Sequence, residues 1–124
     1  MTSLEKITWS FQAQVTGGPS IYITNTVEMD AYEKLEVVIP GGGAATKVNV
    51  QPEDNTKFLL ITASSYKNIS YSVATETTDI KLDGPHILIG EGAVSLLIQT
   101  PTYLTFTNTD AADNKVNILL GREA

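Results

Sequence analysis

The chain has no cysteine, and only one histidine and one tryptophan, among its 124 residues. Without thiols there are no disulfides, no thiolate metal sites and no cysteine nucleophile. Charge is also scarce: 18% of residues are charged, and 8 Lys and Arg stand against 14 Asp and Glu, for a net charge of −6. No basic run occurs, and the lone arginine, Arg122, stands near the end. Nucleic acid binding needs several cations to neutralise phosphates, so no nucleic-acid partner is expected. The same sign of charge argues against docking on an anionic membrane surface. Long hydrophobic runs are missing, so no membrane-spanning helix is expected. Met1–Lys6 has neither the basic start nor the apolar stretch of a signal peptide. A soluble, cytoplasmic chain used as translated is the expectation, and the Asn68-Ile69-Ser70 sequon is then accidental.

What the chain does have is a 42% hydrophobic content arranged with a period of two. Its length suits one domain over residues 1–124, long enough to bury a core without staples. Ile7, Trp9, Phe11, Ala13 and Val15 alternate with Lys6, Thr8, Ser10, Gln12 and Gln14. That pattern predicts a half-buried strand with Trp9 in the core, broken by Gly17-Gly18-Pro19. Ile21, Ile23, Val27 and Met29 share the next face, interrupted at Asn25, and Leu35, Val37 and Ile39 follow before Pro40. Val48 and Val50 form a short strand closed by the turn Pro52-Glu53-Asp54-Asn55. Strands are further expected over Phe58–Ala63, Ile69–Val73, Ile80–Leu82, Ile87–Ile89, Val94–Ile98, Tyr103–Thr107 and Lys115–Leu120. The one segment worth testing for helix, Thr26–Glu36, has no apolar stripe and allows one turn near Asp30-Ala31 at most. Many short strands divided by Gly, Pro, Asn and Asp predict an all-β fold, a single antiparallel β-sandwich of eight to ten strands. An immunoglobulin arrangement lacks its paired cysteines, and a jelly roll suits the strand count better.

Few residues read as chemistry. Gly41-Gly42-Gly43 with Lys47 looks like a phosphate cradle, but the lysine leads into a strand where a P-loop opens a helix. His86 has no second histidine or cysteine to share a metal, and no Gly-x-Ser-x-Gly elbow supplies it with a nucleophile. Asn108, Asp110, Asp113 and Asn114 crowd one loop where oxygens could hold calcium, though Asn and Asp favour turns without any ion. Glu28, Glu33, Glu36, Glu53, Glu76 and Glu91 could supply a glycosidic carboxylate pair only if two of them meet in space. No cofactor and no metal are expected, and the chain is not expected to be an enzyme. Among the freer tyrosines, Tyr66-Lys67-Asn68 is the best candidate for an exposed ligand patch.

Three segments are apolar on both faces of the expected strand. Phe58 and Leu60 oppose Leu59 and Ile61, Leu96 and Ile98 oppose Leu97, and Ile118 and Leu120 oppose Leu119. An antiparallel sandwich strand ordinarily turns one face to water, so something must cover the second face. The loop Pro40–Lys47 or a neighbouring subunit could do so, and a homo-oligomer is the simpler account. Leu59, Leu97 and Leu119 are therefore the candidate oligomer interface, with at least one of them pointing away from the core.

The final hairpin, Leu104-Thr105-Phe106-Thr107-Asn108 through Val116-Asn117-Ile118-Leu119-Leu120, in a short chain rich in Thr, Ser and Asn, resembles small jelly-roll capsid decoration (cement) proteins of tailed phages. The resemblance implies a homo-oligomer, such as a trimer, that docks on a larger protein assembly and is virion-associated. It carries no functional residue across. Two functions follow: a non-enzymatic structural or assembly protein, or a carbohydrate- or other ligand-binding sandwich module.

Overall fold

The computed structural model describes residues 5–50, 56–97, 99 and 101–122. The expected turn Pro52–Asn55, with Glu53, and the position of Ile98 lie outside the described residues. The described chain forms ten strands: β1 (Glu5–Gln14), β2 (Ser20–Met29), β3 (Ala31–Ile39), β4 (Ala45–Asn49), β5 (Thr56–Ala63), β6 (Ile69–Val73), β7 (Ile80–Lys81), β8 (His86–Ile89), β9 (Tyr103–Asn108) and β10 (Asn114–Arg122). A short helix α1 (Glu91–Val94) runs into a 3-10 turn (Ser95–Leu97) between β8 and β9.

Eight strands make two four-stranded sheets, ordered β3-β10-β5-β8 and β4-β9-β6-β7. Every pairing is antiparallel. The chain crosses between sheets at every step from β3 to β10 except the β6–β7 hairpin. That is the order of a jelly roll. The period of two sorts side chains between faces: Leu59 and Ile61 of β5, Tyr71 and Val73 of β6, Leu104 and Phe106 of β9, and Val116, Ile118 and Leu120 of β10 all point inward and are buried. Together with Ile39, Val48 and Leu82 they form one continuous core between the sheets.

Strands β1 and β2 belong to neither sheet. They form a separate hairpin whose register is unbroken from Glu5↔Met29 to Gln14↔Ser20. It is joined to β3 through Asp30, whose amide donates to the carbonyl of Arg122. The turn expected near Asp30-Ala31 is thus a bend between two strands and not a helical turn.

This arm corrects the reading of the first strand. The alternation is real, but the strand is not half-buried along its length, and Trp9 is not part of the sandwich core. Met29 is buried, while Ile7, Trp9 and Val27 are partly buried; from Ser10 to Thr26 every residue is exposed. Periodicity shows that one face is apolar without showing what covers it. A second correction concerns Val94–Ile98. Residues 94–97 are helical, with Val94 and Leu97 buried at a spacing of three while Leu96 is 75% exposed. A short apolar run suits a helical turn as well as a strand, and only the surroundings decide.

Candidate functional site

The doubly apolar strands are covered from within the chain. Phe58 and Leu60 of β5, Leu119 of β10 and Ile87 and Ile89 of β8 form the outer face of the first sheet. The base of the arm lies over this face. Trp9, Phe11 and Ile23 form the opposite wall of an apolar groove of about 450 Å³. The Pro40–Lys47 loop does not line this groove.

Of the three leucines read as an interface, Leu59 and Leu97 are buried in the sandwich core, so the expectation that they meet a partner subunit does not hold. Leu119 does point away from the core, into the groove under the arm. The apolar surface is half bare at Phe11 and Ile23, where the groove opens, and barer further out. Along the arm Phe11 is 48% exposed, Val15 63%, Ile21 60% and Ile23 47%. These residues share one face with Ala13, since Phe11 stands across from Ile23 and Ala13 from Ile21. The opposite face carries Ser10, Gln12, Gln14, Tyr22, Thr24 and Thr26. No charged residue lies between Lys6 and Glu28, a stretch that covers almost the whole arm of a chain with net charge −6. That gap is visible in the sequence and is the signal that marks the arm as different.

A second surface gathers the expected ligand patch. Tyr66 and Asn68 line a polar cleft of about 400 Å³ with Ser70, Asp79, Lys81, Asp83 and Thr109. Lys67 does not line it. Asp79, Lys81 and Asp83 alternate with Ile80 and Leu82, so β7 and its flanks turn the three charges to one side while Leu82 enters the core. The Thr109 amide and hydroxyl both donate to the Asn68 carbonyl, at 3.0 and 3.3 Å, and hold that corner of the cleft. Asn68 adopts a left-handed φ of 59°, which asparagine tolerates better than most residues. The alternation Asp79-Ile80-Lys81-Leu82-Asp83 could have revealed this set in the sequence.

The remaining candidates are spent on structure. The Gly41 amide donates to Asp113 Oδ1 at 3.2 Å, Gly42 to the Asp110 carbonyl and Gly43 to the Asn108 carbonyl. An amide engaged with its own chain is not free to cradle a phosphate. A Cβ on Gly41 would lie 2.5 Å from the carbonyl oxygens of Asp110 and Ala111, which explains a glycine there. Asn108 donates to the carbonyls of Ile39 and Ala112 and accepts from the Asp110 amide. Asn114 accepts from Ser64 and Ser65 and donates to the Ser65 carbonyl. This loop is organised by carboxamides bonded to backbone, and the described residues contain no group of three or more acidic or histidine side chains placed to hold a metal.

His86 Nδ1 lies 2.7 Å from the phenolic oxygen of Tyr71, linking the two sheets across the core. Burial pushes the Tyr71 hydroxyl from 10.0 up to about 12, so it stays protonated at neutral pH and shares a hydrogen bond with the imidazole. No described helix is long and apolar enough to cross a membrane. Comparison with protein-family models, with curated proteins and with solved structures returned no match.

Proposed function

We propose that this chain is a non-enzymatic structural protein of virion-decoration type, whose jelly roll assembles into homo-oligomers through its N-terminal arm. The observation that carries the reading is the arm's outer half, apolar on one face and exposed among the described residues. A two-stranded hairpin is marginal in water without further packing, so an arm of this length implies a surface that receives it. Exposed apolar surface of this kind on a soluble domain marks an interaction site. Docking on a larger protein assembly belongs to the same reading and rests on the resemblance to decoration proteins.

The test is mass by light scattering on the intact chain and on Phe11→Asp and Ile23→Asp. The wild type should be larger than a monomer. Each variant should dissociate while keeping its β circular dichroism, because both side chains lie outside the sandwich core. A wild type that stays monomeric at high protein concentration sinks the reading, as do variants that keep the full mass.

The polar cleft favours a second reading, a module that binds carbohydrate. Sugar hydroxyls donate and accept at once, and the cleft offers carboxylates, an ammonium, a carboxamide and hydroxyls beside the Tyr66 ring. A glycan array with a specific hit that is lost in Tyr66→Ala and Asp79→Asn would support it. A blank array would remove it.

A further inference from the structure

The edges of the two sheets are guarded. Strand β7 has two residues and β8 four, too short to template much pairing. Strand β3 carries Glu33, Lys34 and Glu36, and Glu36 is paired with Lys115 at 3.2 Å. Strand β4 carries Lys47, whose ammonium sits 4.2 Å over the Tyr103 ring. Short strands and edge charges are the usual devices that stop sheets from adding to one another.

Beyond Glu5, Lys6 and Glu28 at its base, the arm has none of these devices. Among the described residues β1 and β2 pair only with each other, so each leaves one edge open over ten residues, about 33 Å of strand. The register has no bulge, the only proline is Pro19 in the turn, and no charge lies between Lys6 and Glu28. Two open edges and one bare apolar face thus occur on the same element.

We propose that the arm adds edge to edge to the arms of neighbouring copies, β1 of one beside β2 of the next, so that their apolar faces merge into one packed surface. This rests on the homo-oligomer reading and names its contact. A second copy is the occupant because of charge. Each copy carries −6, and contacts through most of the surface would bring carboxylates together, whereas the stretch of the arm between Lys6 and Glu28 brings none. The geometry also closes. With all arms pointing one way, β1 beside a neighbour's β2 is antiparallel, like the pairing inside the hairpin. The contact is head-to-tail, so a ring of copies uses both edges of every arm. It also places Phe11, Ala13, Val15, Ile21 and Ile23 of each copy in one continuous apolar layer.

The experiment is amide hydrogen exchange by mass spectrometry on the full wild-type chain, read over peptides covering residues 10–26, with mass measured on the same sample. In a lone hairpin about half of the strand amides point outward and exchange freely, because each strand has a partner on one side only. Edge pairing should roughly double the slow-exchanging set in the oligomer, and dilution to monomer should reverse it. An oligomer whose arm keeps half of its amides in fast exchange overturns edge pairing and leaves the homo-oligomer reading standing. A monomer overturns both. Protection that appears only with phosphatidylcholine vesicles would assign the arm to a bilayer and overturn the proposal.

Discussion

Met29 of β2 packs its thioether directly over Gly121 of β10, in the space that a side chain at Gly121 would need. The Ile7 Cδ1 atom completes the seat, 3.4 Å from where a Cβ would stand. This contact is where the arm is fastened to the outer face of the first sheet. Gly121 is needed for close approach between two layers, since the backbone must come near enough for Met29 to be buried.

Replacing Gly121 by valine should therefore lift the base of the arm. Overpacking of this kind costs about 1–3 kcal/mol. The expected outcome is a matching loss in urea-induced unfolding, smaller for Gly121→Ala. The double variant Gly121→Val with Met29→Ala should recover part of it, because the two residues share one space. Strict additivity of the two single changes would show that the seat is not where the cost arises.

Leu59 and Leu119 separate core from arm seat. Leu59 is fully buried between the sheets, so Leu59→Ala should cost about 2–5 kcal/mol. Leu119 faces the groove and is only partly buried, and its alanine variant should cost clearly less. Leu119→Asp should remain folded where Leu59→Asp does not. Circular dichroism during urea titration reads both, and equal losses at the two positions would contradict the assignment of faces.

Much of the architecture is legible from alternation alone, because β3, β6 and β9 each sort apolar and polar residues by parity. What alternation cannot tell is which body covers an apolar row. Ile7 to Val15 has the same pattern as a core strand, yet every residue from Ser10 outward is exposed. The apolar rows of β5 and β10 look like a subunit interface in sequence, yet the arm's own base covers them, since no sequence rule brings Trp9 over Leu119. Val94–Leu97 is too short for its period to separate helix from strand. The candidate surfaces are half legible: the charge gap after Lys6 and the run Asp79-Ile80-Lys81-Leu82-Asp83 are plain, but exposure and convergence need the fold.

Tyr71 should make stability fall in alkaline solution. Its hydroxyl is raised by burial from 10.0 to about 12 in the folded protein. Between these values the unfolded chain has lost the proton while the folded one keeps it, so the unfolded state binds fewer protons and stability drops as pH rises. The contribution is complete below pH about 10 and is lost on passing through pH about 12. Other groups titrate in the same window, so the informative quantity is the difference from Tyr71→Phe. That variant loses the hydrogen bond to His86 at neutral pH, at a cost of about 1 kcal/mol, and should approach the wild type as pH rises. Parallel curves for the two proteins would show that the phenol is not held protonated by the fold.

Asn108 makes the sharpest test of the loop that joins β9 to β10. Its amide nitrogen donates to the Ile39 carbonyl at 3.2 Å and the Ala112 carbonyl at 2.8 Å, and its oxygen accepts from the Asp110 amide at 3.1 Å. The residue is fully buried, so each of these groups would be costly to leave without a partner. Asn108→Asp keeps the shape but turns a two-proton donor into an acceptor facing two carbonyl oxygens. The charged form is disfavoured both by burial and by those oxygens, so the new carboxyl should titrate above its ordinary value in the folded protein. Protonation then restores one donor. The variant should accordingly be destabilised by several kcal/mol at neutral pH, as for an unpaired buried charge, and the gap to the wild type should narrow as pH falls below about 5. Asn108→Ala, which has no charge to bury, should show a loss of about 1–3 kcal/mol that does not change over the same pH range. Thermal unfolding of the three proteins from pH 7 down to about 4 decides the matter. An aspartate variant as stable as the wild type at neutral pH would mean that water or a cation, and not the carboxamide, organises this loop.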